Sequence, residues 1–273
     1  CRLLESERVT CAVFVPTLLH RLLAYEGLRR HDLSSLRIVT SFGAILAPEI
    51  AAEVERVLGV KVIQGYGASD YGSLASTSID DPQRVRLAGV GRPLTGTELR
   101  ICDEHGTALE PGVPGRIFAR GPHCVGGFVR DEAATAQAWE SGYCAMGDFG
   151  HIDDEGYLWL SGRVRELVIR GGQNIAPAEI EDVLLTHPDI ADAAVVGVPD
   201  DEWGQRIEAA VVLRDGATIA AEDLRSYCRD RLRSSKTPDR IAVWDALPHT
   251  DTGKLLRRAV AAAMTVPTRQ ERP

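Results

Sequence analysis

An α/β fold in two parts is predicted for this chain: a parallel α/β unit joined to an antiparallel β subdomain, followed by a small α+β domain. Three observations carry the expectation. Strand, helix and strand alternate between Leu36 and Gln64. Short alternating stretches separated by Gly, Pro and Asp clusters fill Gly89 to Leu160. Helix and strand then alternate again after the charged stretch Gly162-Arg163-Val164-Arg165-Glu166-Leu167-Val168-Ile169-Arg170-Gly171-Gly172-Gln173-Asn174-Ile175. That stretch sets charged and amide side chains around a Leu167-Val168-Ile169 core expected to be buried. It reads as a rigid joint between two folding units or as an edge strand with a tight turn.

Taken in order, Val9 to Pro16 alternates and then runs apolar, as a strand does, and the leucines of Thr17 to Tyr25 have helical spacing. Leu36 to Thr40 is a buried strand that ends in Ser41-Phe42-Gly43-Ala44. Pro48 suits the first turn of a helix running to Leu58, which Gly59 stops. Val60 to Gln64 is a further strand, ending in Gly65-Tyr66-Gly67-Ala68-Ser69-Asp70. Parallel α/β units bind ligands at the C-terminal ends of their strands, where these loops lie. Glu98–Cys102, Gly115–Arg120 and Tyr157–Ser161 are antiparallel strands set apart by turn clusters such as Pro111-Gly112-Val113-Pro114-Gly115. The second part has helices at Pro177–Thr186, Ala221–Leu232 and Leu255–Ala263, with strands at Ala191–Val198, Ile207–Leu213 and Ile241–Trp244. The tail from Thr265 is expected to be disordered.

Composition narrows the function. The 273 residues are 44% hydrophobic and 26% charged, the proportions of a soluble globular protein. A net charge of −8 spread along the chain argues against a nucleic-acid face or a polybasic membrane anchor. No apolar run approaches the length of a transmembrane segment, and the start lacks the pattern of a secretory signal. Cys1, Cys11, Cys102, Cys124, Cys144 and Cys228 are scattered without C-x-x-C spacing, which points to reduced thiols and a cytoplasmic location.

Three loops invite a chemical reading. Gly65-Tyr66-Gly67 lets backbone approach a planar ligand, with Tyr66 offering a stacking face. Ser69 and Asp70 suit a phosphate and a metal ion, or simply cap a turn. Gly147-Asp148 can hold a ribose diol or form a turn. Thr250-Asp251-Thr252-Gly253-Lys254 places one lysine on a Gly-containing loop before a helix, either an anion site or a surface lysine.

In combination and in this order, these motifs, with Gly162-Arg163, Gly171-Gly172-Gln173-Asn174-Ile175-Ala176-Pro177-Ala178-Glu179-Ile180-Glu181 and Pro199-Asp200, resemble the adenylate-forming superfamily. Acyl-CoA synthetases, aryl-acid ligases and peptide-synthetase adenylation domains belong to it. The resemblance implies two half-reactions: a carboxylate attacks the α-phosphate of ATP to give acyl-AMP, then a thiol, usually that of coenzyme A, takes the acyl group. It further implies that Gly43 and Ala44 line the adenine and Tyr66, followed by Gly67, stacks on it. Ser69 meets the phosphate and Asp70 lies near Mg²⁺. Asp148 and Arg163 bind the ribose, and Arg165 is a hinge. Gly172 lines the pantetheine tunnel, and Lys254 serves adenylation. The implied organisation is the C-terminal part of a large AMP-binding domain over 1–162, a hinge over 163–165, a small mobile domain over 166–264 and a tail over 265–273.

Departures from the family pattern are informative. Ser69-Asp70 stands where Thr-Glu is usual, Phe42 where a glycine is usual, and Ile45 where proline is common. The Ser/Thr/Gly-rich phosphate loop is absent, so the chain by itself is expected to be inactive. Arg170-Gly171-Gly172-Gln173-Asn174-Ile175, and Thr252 before Gly253, favour the fatty- and aromatic-acid CoA ligases over enzymes that load a carrier-protein phosphopantetheine. A non-catalytic module that keeps the fold is the alternative of a different class. The acid is unreadable, and so is the oligomeric state.

Overall fold

The computed structural model describes residues 1–68, 71–250 and 255–265, and the chain divides into two compact units, Cys1–Ser161 and Gly162–Pro273. The fold is α/β with several sheets. No helix among the described residues is long and apolar enough to cross a membrane.

The first unit opens with α1 (Arg2–Ser6), β1 (Cys11–Phe14), α2 (Pro16–Ala24), β2 (Ile38–Ser41), α3 (Pro48–Leu58) and β3 (Lys61–Ala68). It continues with β4 (Gly72–Ser76), α4 (Gln83–Ala88) and β5 (Arg92–Pro93). The five strands form one sheet in the order β1-β2-β3-β4-β5, parallel over its first three strands and antiparallel beyond. The first strand is shorter than the apolar run suggests, because Pro16 lacks an N–H and opens α2. Gly59 closes α3 at φ +67°, its N–H donating to the Glu55 carbonyl. Leu19, Val39, Ala51, Val54 and Val62 are buried together where α2 and α3 cover the parallel strands.

A second sheet follows: β6 (Glu98–Cys102), β7 (Gly115–Arg120), β9 (Tyr143–Ile152) and β10 (Leu158–Arg163), in the order β10-β9-β7-β6. The short β8 (Trp139–Glu140) pairs with β9 after α5 (Glu132–Ala138), which Asp131 caps by accepting from the Ala134 N–H. One apolar cluster joins the two sheets: Tyr66, Leu74 and Ala75 pack with Ile101, Ile117, Cys144 and Leu158. This places the end of β3 against β9.

In the second unit β11 (Val168–Arg170) and β12 (Gln173–Ile175) form a hairpin, followed by α6 (Pro177–Leu185), β13 (Ile190–Asp200) and β14 (Gly204–Leu213). Then come α7 (Ala221–Arg229), β15 (Arg240–Val243) and α8 (Arg257–Thr265). β14 pairs antiparallel with β13 and parallel with β15. The period of two divides β13 between two cores: Ala193 and Val195 face Ile180, Leu184 and Leu224, while Ala194, Val196 and Val198 face Val260 and Met264.

Several sequence expectations shift. Within Leu167-Val168-Ile169 only Val168 is fully buried and Ile169 is 55% exposed, since a two-stranded hairpin has one covered face. The final helix begins at Arg257, because Leu255 bridges back to His249. Thr265 is the last residue of that helix, and the expected tail beyond it lies outside the described residues.

Arg257 is the polar anchor of the second unit. It donates from Nε to Glu166 at 3.0 Å and from Nη2 to Glu181 at 2.7 Å, with a further Nη1 bond to Glu181. Glu181 in turn accepts from the Val195 N–H at 2.7 Å, so α6, β13, α8 and the Val164–Glu166 turn meet on one guanidinium.

Candidate functional site

Strands β2 and β3 run parallel with Ser41 beside Gln64, so Phe42 comes next to Gly65 at their C-terminal side. Beyond Ser41 the chain turns outward. Gly43 has φ +90°, a torsion that favours glycine, and Gly43, Ala44 and Ile45 are exposed. The Ser41 hydroxyl is buried without a hydrogen-bond partner among the described residues, a polar atom at the strand end that sequence reasoning did not single out.

Tyr66 and Asp148 are brought together. The Tyr66 hydroxyl donates to Asp148 Oδ2 at 2.8 Å across 82 residues of sequence. The half-buried Asp148 follows Gly147, which is exposed at φ +71°. A carboxylate is an acceptor-only group of the kind that a vicinal diol donates to. The Tyr66 ring, however, is only 5% exposed and packs in the intersheet core, which leaves little of the stacking face expected from sequence.

Both glycines beside Tyr66 have their reason inside the protein. A methyl group on Gly65 would overlap the Phe42 ring, and one on Gly67 would overlap the Gly72 carbonyl and lie 2.9 Å from Ser73 Cα. Gly67 admits β4, and Gly65 admits an aromatic side chain. Neither pattern identifies a ligand by itself.

In the second unit Arg163 ends β10 half-buried, and Arg165 is exposed in the 3₁₀ turn Val164–Glu166. Gly171 and Gly172 form the two-residue hairpin turn with φ +54° and +78°, as a turn with both central residues left-handed requires. A methyl group on Gly172 would meet nothing within 4 Å, so torsion accounts for this glycine and its surroundings are open. Arg170, at the hairpin's base, donates to Asp239 at 2.8 Å, and Asp239 also accepts from the Ile207 N–H, which fixes the turn to β14.

Ser69, Asp70 and Lys254 lie outside the described residues. No group of three His, Cys, Asp or Glu among the described residues is arranged to hold a metal ion. Cys144, on the same strand as Asp148, is no nucleophile at neutral pH: burial, with neighbouring Cys124, pushes its pKa up to about 12.

The AMP-binding enzyme family model matches residues 1–129, and the model of the AMP-binding enzyme C-terminal domain matches residues 179–254. The oxalate–CoA ligase of Arabidopsis thaliana is 37% identical over 227 residues, covering 83% of this chain and 44% of that protein. The solved amide bond synthetase of Marinactinospora thermotolerans superposes with TM-score 0.89 at 36% identity, over 96% of this chain and 53% of the other. The O-succinylbenzoate coenzyme A synthetase of Bacillus subtilis, solved in complex with AMP, gives TM-score 0.81 at 31% identity over 94% and 52%. The chain thus spans about half the length of the curated relatives it matches.

Proposed function

The chain belongs to the AMP-binding enzyme family, and on that premise we propose that it serves ATP-dependent activation of a carboxylic acid as an acyl-adenylate, followed by transfer of the acyl group to coenzyme A. The observation that carries this reading is the Tyr66–Asp148 hydrogen bond, which joins two motif residues 82 positions apart in sequence. Gly43 and Ala44 border the base. Asp148, held by Tyr66, takes the ribose hydroxyls together with Arg163, so Tyr66 works through its hydroxyl more than its face. Ser69 serves the phosphate. Asp70 serves Mg²⁺, which needs only one or two carboxylates beside the nucleotide phosphates and water. Gly172 leaves the hairpin turn open for the pantetheine arm, and Lys254 is the adenylation cation.

Arg165, exposed in its short turn, is proposed as the pivot on which the small domain changes position between half-reactions. Six free cysteines are consistent with the proposed cytoplasmic location. The acid is left open, because the named acids of the relatives range from oxalate to indoleacetate and 2-succinylbenzoate. A fatty or an aromatic acid fits the motif preference.

The test uses the protein expressed from its whole native coding region. Carboxylate-dependent exchange between pyrophosphate and ATP is expected, and thioester formation from supplied acyl-AMP is measured separately. Arg165→Pro fixes φ near −65° and removes an N–H, so one half-reaction should suffer far more than the other. Equal losses in both would remove the pivot role. Absence of exchange with any acid would leave a non-catalytic module.

A further inference from the structure

We infer that Cys124 and Cys144 form a reversible oxidation site: a two-electron oxidant of the hydroperoxide class joins their sulfurs as a disulfide, and small thiols reopen it. The inference does not depend on the proposed activity.

The two residues meet because the chain doubles back. Cys144, on β9, is paired with Ala119 of β7 on one side and with Trp139 of β8 on the other. β7 stops at Arg120, and a turn closed by the Cys124 N–H, which donates to the Gly121 carbonyl at 3.1 Å, follows it. Cys124 thereby packs against the apolar cluster that contains Cys144, Tyr71 and Ile117. The thiols are close enough that the charge of Cys124 and a hydrogen bond with it both act on the Cys144 proton. No group of three His, Cys, Asp or Glu among the described residues is arranged to hold a metal ion, so the thiols meet as a pair and not within a metal centre. Cys102 and Cys228 are buried in two other clusters, and neither is placed to compete with Cys144 for Cys124.

The pair is asymmetric in the way that stepwise oxidation requires. Cys144 is fully buried, whereas Cys124 is half-buried in a loop whose Pro122, His123 and Val125 are exposed. An oxidant arriving from solvent meets Cys124 first. The Cys124 thiolate attacks one peroxide oxygen, the O–O bond breaks, and the other oxygen takes a proton and leaves as water, giving a Cys124 sulfenic acid. The Cys144 sulfur then attacks the Cys124 sulfur. The S–S bond forms, the S–O bond breaks, and the Cys144 proton departs with the hydroxyl as a second water. Two thiols and one peroxide give one disulfide and two waters. Passing the proton in the same step removes the need for a free Cys144 thiolate, which burial disfavours. In a reducing compartment such a bridge forms under oxidant and is undone by thiol exchange.

The experiment treats the native-length protein with hydrogen peroxide, alkylates the remaining thiols and maps the cysteine peptides by mass spectrometry. A linked Cys124–Cys144 peptide, lighter by two hydrogens than its parts together, is expected, and dithiothreitol should remove it. Cys144→Ala should block the second step, so that the Cys124 sulfenic acid becomes trappable by a 1,3-dione. Cys124→Ser should leave Cys144 alkylatable after unfolding, and it serves the same purpose if the Ala variant folds poorly. Wild-type protein in which both thiols stay alkylatable while the exposed Cys11 is oxidised would overturn the inference. So would passage of Cys124 to a sulfinic acid without a bridge, or a bridge from Cys124 to any other cysteine.

Discussion

Lys254→Ala is expected to lower acyl-adenylate formation by ~100–1000-fold, roughly 3–4 kcal/mol, the usual cost of removing one preorganised donor from a developing charge. In the proposed first half-reaction the carboxylate oxygen closes on the α-phosphate, and two anions must approach. A cation already in place lowers that barrier without reorganisation. Lys254 itself lies outside the described residues, but the chain on either side of its segment is pinned: the Leu256 N–H donates to the Pro248 carbonyl at 2.9 Å, and Leu255 bridges to His249. Arginine keeps the charge but brings a planar fork in place of a compact ammonium, so Lys254→Arg should rescue poorly. Thioester formation from supplied acyl-AMP should survive comparatively well in the Ala variant, because the lysine is proposed to act in the first half-reaction, before the small domain changes position. Near-normal pyrophosphate exchange in Lys254→Ala would return this lysine to the surface.

The largest stability effect is expected at Arg257. Its side chain is 21% exposed, and its partners Glu166 and Glu181 are 26% and 10% exposed. Arg257→Leu leaves the Glu181 carboxylate buried without its cation, at a cost of about 3–5 kcal/mol. Whole domains are stable by only about 5–15 kcal/mol, so the small unit should melt far earlier in urea. Replacing Glu181 by Leu in the same background should recover part of the loss, since an apolar pair tolerates burial better than one uncompensated charge. Recovery should be incomplete, because the Val195 N–H then loses its acceptor. A single variant as stable as wild type would show that the three charges do not act as the anchor of this unit.

The fold was legible where local chemistry dictates it. Pro16, Pro48 and Pro177 open helices, Gly59 closes one, and alternation along β13 marks two buried faces. The motif order gave the family before any coordinates, because spacing survives where individual residues change. Long-range polar partners were not legible. The motifs set Tyr66 and Asp148 at one expected nucleotide but not in a direct hydrogen bond, and nothing in the sequence joins Arg257 to Glu166 and Glu181, or the 2%-exposed Arg86 to Glu55, since each pairing spans separate elements. The packing role of two glycines was not legible either. Gly65 and Gly67 make room for Phe42 and β4, a fact about packing that composition does not carry. Gly172 needs its torsion, which a Gly-Gly pair between two strands does announce.

The central claim is that the carboxylate oxygen becomes bonded to the α-phosphorus of ATP. A carboxylic acid labelled with ¹⁸O in both oxygens, turned over with ATP and coenzyme A by the native-length protein, tests it most directly. Attack on the α-phosphorus followed by thiol attack at the carbonyl carbon breaks the carbon–oxygen bond and leaves one labelled oxygen in AMP, read by mass spectrometry. Label in AMP, with unlabelled pyrophosphate, is the predicted result. Label in inorganic phosphate, or thioester formed with unlabelled AMP, would contradict the account.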